Sequence, residues 1–204
     1  MTNNIIKIVG LTGSLRRNSY NKAALRAAQM LLSENTILDN AISENAILEN
    51  AILKNAVLDI VDLAGIPFFN EDDEERGLPT IVADFRAKLS EADAVLISTP
   101  EYNFSIPPVL KNALDWASRG DVLPLYGKPL AIMSASTGRL GGSRVQYHLR
   151  QVCVSLNLIA LNKPEVFIAH ANTKFDKDGN LIDENTKKSI MRLLKTLVEN
   201  VENN

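Results

Sequence analysis

The chain has 204 residues, 46% hydrophobic and 23% charged, a balance that argues for one compact core and against disorder. Its formal net charge is −2 and its sequence pI is about 5.8, so no global basic field exists to hold nucleic acid or an anionic membrane. A single cysteine, Cys153, excludes a disulfide framework or a cysteine-rich zinc site within one chain and suits a reducing compartment.

The first residues, Met1 to Ile8, carry no basic region followed by a long apolar stretch. No run reaches the roughly 18 apolar residues of a membrane span, and the expected location is the cytoplasm. Ile5 to Leu11 is a short, β-branched apolar run, suited to a strand buried on both faces of a parallel sheet. After a polar loop, Lys22 to Leu32 is rich in Ala, Leu, Gln and Met and predicts a helix. Asn then recurs at positions 35, 40, 45, 50 and 55, a period that fits neither a helix nor a strand. The block resembles pentapeptide repeats, but about four pentads form only one coil, and a solenoid needs several. It is read as a duplication at about 33–55, tolerated on the surface of a single domain spanning 1–204.

Ala56 to Leu63 alternates apolar and acidic residues, as an edge strand does. Asn70 to Arg76 reads as an acidic loop, and Pro79 to Leu89 as a helix burying Ile81, Val82, Phe85 and Leu89. Ala94 to Ser98 is a buried strand, Pro107 to Ser118 a helix opened by two prolines, and Leu130 to Ser134 a fourth strand. Ser143 to Leu156 reads as a long helix. Leu158 to Leu161 and Val166 to Ala169 flank Asn162-Lys163-Pro164, which predicts an interrupted fifth strand. Glu184 to Val201 is the last helix. Alternating strands and helices imply an open α/β sheet with helices on both faces. For five strands the commonest doubly wound order is 2-1-3-4-5, with ligands beyond the carboxyl ends of the strands where the order reverses.

Three loops lie there. The first, Gly13 to Asn21, offers the hydroxyls of Ser14 and Ser19, the Asn21 amide, the Arg16 guanidinium and the N–H groups of a helix start, a set suited to a dianionic phosphate. The competing reading is a solvated loop with Ser19 as helix cap. It contains neither a dinucleotide fingerprint nor a triphosphate loop. The second, Ser98 to Ser105, can lie along a flat heterocycle, or be an ordinary turn with Tyr102 packed on the core. The third, Ser134 to Gly142, is small enough to approach a ligand and carries Arg139 as a second cation; read alone, it is a linker.

Taken together, Gly13-Ser-Leu-Arg16…Ser19-Tyr-Asn21, Thr99-Pro-Glu-Tyr-Asn103, Pro107-Pro-Val-Leu-Lys-Asn-Ala-Leu-Asp-Trp116, Gly141-Gly-Ser-Arg144…Gln146-Tyr-His-Leu-Arg-Gln151 and Asn162-Lys-Pro-Glu165 resemble the NADPH-dependent FMN reductase family, most closely its bacterial chromate/quinone reductase branch. The resemblance implies a flavodoxin-like three-layer sandwich. It also implies an FMN-dependent NAD(P)H oxidoreductase passing electrons from NADPH or NADH through FMN to quinones, azo compounds, metal oxyanions or free flavin. By the same resemblance Ser14, Arg16, Ser19 and Asn21 hold the FMN phosphate. Pro100, Glu101, Tyr102 and Asn103 line the isoalloxazine, and Ser136, Thr137 and Gly138 close the other side. The pentad block, about twenty residues longer than the family's usual connection, is the clear departure.

The flavin carries the chemistry, so no catalytic side chain is assigned. His148 and His170 lack metal-type spacing, and no metal site is expected. Cys153, among Val152, Val154 and Leu156, reads as an inert buried thiol, and Trp116 as core or interface. The aromatic and arginine content of Pro107–Trp116 and Arg144–Arg150 predicts a homodimer or homotetramer. Small acceptors are the expected partners, with no nucleic acid and no membrane. The alternative is a flavodoxin-type electron carrier docking on protein partners.

Overall fold

The apolar runs become the strands of one parallel sheet. The computed structural model describes residues 5–37, 53 and 55–203. The strands are β1 (Ile6–Thr12), β2 (Ala56–Val61), β3 (Ala94–Ser98), β4 (Pro129–Ala135), β5 (Ile159–Ala160) and β6 (Val166–Ile168). They lie in the order β2-β1-β3-β4-β5, and β6 also pairs with β4, further along it than β5 does. β5 and β6 are thus the two pieces of the interrupted fifth strand, separated by the segment that holds the Lys163–Pro164 bond. This is the expected flavodoxin-like order.

Period-two geometry sends successive side chains to opposite faces. Ile6, Ile8, Leu58, Leu96, Met133 and Ile168 face α1 (Tyr20–Ile37) and the C-terminal helix Glu184–Glu202. Val9, Leu11, Val95, Ile97, Leu130 and Ile132 face the other layer. That second layer is built from α3 (Thr80–Glu91), α4 (Pro108–Ala117) and α5 (Ser143–Ser155), so the C-terminal helix is α6. A Cβ on Gly10 would stand 3.1 Å from Leu58 and 3.4 Å from Leu25, so the missing side chain lets α1 settle on the sheet.

Several boundaries differ from expectation. α1 begins at Tyr20 and continues to Ile37. The acidic run expected to be a loop contains a short helix, α2 (Glu71–Glu75): the Asn70 side chain accepts from the Asp72 N–H at 3.1 Å, and four first-turn acids suit the positive end of the dipole. Val82, Phe85 and Leu89 are buried, but Ile81 stays 40% exposed at the rim of its helix. Trp116 is core: fully buried, it meets Phe69 edge-on and donates to the Pro67 carbonyl at 2.8 Å. The central pentads lie outside the described residues.

At the amino end of β4, Lys128 donates its ammonium to the carbonyls of Leu89, Ser90 and Ala92, capping the carboxyl end of α3. Burial lowers its pKa. The sheet is therefore pinned at the end opposite the three loops.

Candidate functional site

β1, β3 and β4 end side by side, and their loops interlock. A Cβ on Gly13 would come within 2.6 Å of Thr99 Oγ1 and 2.9 Å of Pro107, so only glycine lets the first loop touch the second. Thr99 N–H donates to the Met133 carbonyl at 3.1 Å, tying the second loop to β4. Asn21 joins the first loop to the third. Its Nδ2 donates to the Ala135 carbonyl at 3.0 Å, while its Oδ1 accepts from Ala135 N–H at 2.9 Å and from Ser98 Oγ at 3.2 Å.

In the first loop Ser14 and Ser19 are buried, while Arg16 and Arg17 are exposed. Ser19 Oγ accepts from the N–H groups of Asn21 at 3.2 Å and Lys22 at 3.3 Å, so it caps α1 and keeps its own proton free to donate. Ser14 Oγ accepts from Arg16 N–H at 3.4 Å. Among the described residues the N–H groups of Leu15, Arg17 and Asn18, and the guanidinium of Arg16, have no protein partner. Two hydroxyls, several amide protons and a cation at one helix start form a donor set that fits a terminal phosphate dianion. Asn21, expected in that set, also spends its Oδ1 and one of its two Nδ2 protons on the ends of β3 and β4, so it clamps the loop from beneath.

The second loop is a two-residue hairpin. Tyr102 N–H donates to the Ser105 carbonyl at 3.1 Å and Ser105 N–H to the Tyr102 carbonyl at 2.9 Å. Asn103 and Phe104 at its tip have φ of 49° and 67°, the positive pair of a type I′ turn. Asparagine tolerates that region; phenylalanine does so at a cost of about 1–3 kcal/mol. The Arg144 guanidinium carbon holds the Phe104 ring, 3.9 Å from its centroid. Ser105 Oγ lies 3.0 Å from His148 Nδ1. Tyr102 and Phe104 are exposed at the mouth.

Glu101 was expected to line the ring. One of its oxygens accepts from the N–H groups of Arg144 at 3.0 Å and Val145 at 3.2 Å, and the other from Arg144 Nη1 at 3.3 Å. The carboxylate thus supplies the anionic cap that Gly142, in the left-handed region, cannot give α5. Both carboxylate oxygens of Glu101 are thereby engaged. Pro100 precedes it, half-buried.

The third loop is anchored from behind. Ser136 N–H donates to the Ile168 carbonyl at 3.0 Å and its Oγ accepts from Gly138 N–H at 3.1 Å, leaving Thr137 and Gly138 exposed. Buried Ser134 donates to the Gly141 carbonyl at 2.6 Å, and Gln146 Nε2 donates to Ser134 Oγ at 2.8 Å and to the Val166 carbonyl at 2.9 Å. Sequence reading missed this Ser134–Gln146 clamp and the hairpin geometry. A buried helix glutamine and an Asn-Phe pair carry no local signal for either. No group of three or more His, Cys, Asp or Glu side chains among the described residues is placed to hold a metal ion.

The family described as NADPH-dependent FMN reductase matches residues 6–173, all the strands and all three loops. The chain belongs to this family. As a member of the NADPH-dependent FMN reductases it is 43% identical over 192 residues to an NAD(P)H-dependent FMN reductase of Pseudomonas aeruginosa, covering 94% of this chain and 93% of that one. It is 40% identical over 196 residues to an NAD(P)H:quinone oxidoreductase of Solanum tuberosum, covering 95% and 91%. Among solved structures it resembles FerB, a flavoenzyme NAD(P)H:(acceptor) oxidoreductase of Paracoccus denitrificans, with TM-score 0.80, 26% identity and 98% of both chains covered.

Proposed function

We propose that the protein is an FMN-dependent NAD(P)H oxidoreductase that passes electrons to a small acceptor: a quinone, an azo compound, a metal oxyanion such as chromate, or free flavin. The observation that carries the reading is the phosphate-type donor set of the first loop, interlocked with an aromatic hairpin at the reversal of strand order. Ser14, Arg16 and Ser19, with the free N–H groups between them, hold the FMN phosphate, and Asn21 fixes the loop from below. Pro100, Glu101, Tyr102 and Asn103 line one side of the ring, with Glu101 contributing backbone and helix capping. Ser136, Thr137 and Gly138 close the other side. FMN held there would supply the two-electron redox chemistry that links the nicotinamide to the acceptor. The chain's own residues present amide protons that favour negative charge on the ring, and need supply no acid or base.

The names of the relatives support a quinone as one acceptor. The exposed Tyr147 and Arg144 on α5 support assembly into a homodimer or homotetramer. Two cores on the faces of one sheet support a single domain carrying the pentad insertion. One reduced cysteine supports a cytoplasmic location, and among the described residues no helix is long and apolar enough to cross a membrane.

The test is anaerobic mixing of FMN-loaded protein with NADPH. Rapid bleaching of the flavin without a protein partner, followed by reoxidation on adding a quinone, is the expected result. Failure to bleach would favour an electron carrier, and failure to load FMN would remove both readings.

A further inference from the structure

NADPH and NADH differ by one phosphate, on the adenosine ribose, distant from the nicotinamide that reacts. A protein that tells them apart needs a cation outside the set that holds FMN. We propose that Arg139 is that cation: it selects NADPH by pairing with the 2′-phosphate. This rests on the oxidoreductase reading above.

The cations on the loops at the carboxyl end of the sheet divide by their commitments. Arg16 belongs to the phosphate set of the first loop, and Arg17 beside it, exposed and without a side-chain partner among the described residues, is the control for Arg139. Arg144 is committed to Glu101 and to the face of Phe104. Arg139, on the third loop across the site, is exposed and makes no hydrogen bond or ion pair among the described residues. Glu101, the carboxylate of the second loop, has both oxygens engaged, so it does not compete for the guanidinium.

The loop that carries Arg139 is fixed on either side of it. The Gly138 carbonyl accepts from Gly141 N–H at 3.4 Å and from His170 N–H at 3.3 Å, and Gly138 N–H is held by Ser136 Oγ. The same hydrogen bond sets exposed His170, with its φ of 48°, beside the loop as a neighbouring donor. An arginine on an anchored backbone, with its planar fork free, is suited to bidentate capture of a phosphate.

The experiment uses FMN-loaded Arg139→Gln, Arg139→Lys and Arg17→Gln proteins with two readouts. The first is kcat/KM for NADPH and for NADH. The second is calorimetric binding of adenosine 2′,5′-bisphosphate against adenosine 5′-monophosphate, which does not depend on turnover. Arg139→Gln is expected to lower the NADPH/NADH ratio by about tenfold to a hundredfold, the range of a lost charge-assisted contact, and to weaken the bisphosphate alone. Arg139→Lys restores part of both, and Arg17→Gln changes the ratio less. An unchanged ratio with normal NADPH oxidation would overturn the assignment and leave the oxidoreductase reading intact. Arg139-dependent bisphosphate binding in a protein that NADPH does not reduce would count against that reading instead, and for the Arg139 site.

Discussion

Replacing Asn21 with alanine separates a ligand from a clamp. The side chain makes three buried hydrogen bonds, to both backbone groups of Ala135 and to the Ser98 hydroxyl. Truncation removes all three, in a position 3% exposed where water does not readily replace them. Each buried donor or acceptor left without a partner costs about 1–3 kcal/mol, and some relaxation is expected, so the net loss should be about 2–4 kcal/mol. With an m-value of about 2 kcal/mol/M, the urea midpoint of the FMN-free protein should fall by about 1–2 M. Asn21→Asp keeps one acceptor but turns an oxygen toward the Ala135 carbonyl, and should be at least as damaging. Equilibrium urea unfolding followed by far-UV circular dichroism, with FMN affinity measured by fluorescence quenching, gives both quantities. An unchanged midpoint together with lost FMN affinity would refute the clamp and return Asn21 to the phosphate set.

Arg16→Ala should weaken FMN binding by about 1.5–3 kcal/mol, and Arg17→Ala by clearly less; equal dissociation constants would show that the loop is read in the wrong register. Cys153 is buried, and burial pushes its thiol pKa up to about 12. It should therefore resist a disulfide reagent at neutral pH and react once per chain only after unfolding, whereas fast labelling of the native protein would contradict that burial. Asp183 caps α6 through the Thr186 N–H at 2.9 Å, and its pKa is lowered, first by the Thr186 hydroxyl and then by the Thr186 amide and Lys174. A depressed folded-state value means that this stability is present above the unfolded pKa and lost as pH falls through the folded one. Asp183→Ala should cost about 1 kcal/mol at neutral pH and less in acid; a gap that widens as pH falls would reverse the sign.

Where periodicity and burial coincide, the sequence was legible. Ala94 to Ser98 is a strand over the expected residues because every position is buried, and parallel central strands leave no polar face to blur the pattern. The strand interruption could be read from Asn162-Lys163-Pro164, since proline cannot serve the ladder. The three loops followed from strand ends. What each side chain does inside them did not. Asn21 and Glu101 look like ligands by type, and only tertiary contacts reveal that one ties strand ends together and the other caps a helix. The short helix Glu71–Glu75 was hidden because its stability comes from a cap and a dipole, with no buried residue of its own.

The broken fifth strand also bears on how the protein behaves at high concentration. A parallel sheet has two open margins, each a template for pairing with another chain. On one margin, among the described residues, only Ile159–Ala160 and Val166–Ile168 present backbone in strand form, too briefly to seed a continuous ladder, and Lys163, Pro164 and Glu165 fall between them. On the other, β2 carries exposed Asp59, salt-bridged to Lys88 at 3.8 Å, so a second chain would have to approach a charged strand. Both margins are thereby guarded against edge-to-edge aggregation, and the sheet can keep its central strands almost wholly apolar without becoming a nucleus for fibres.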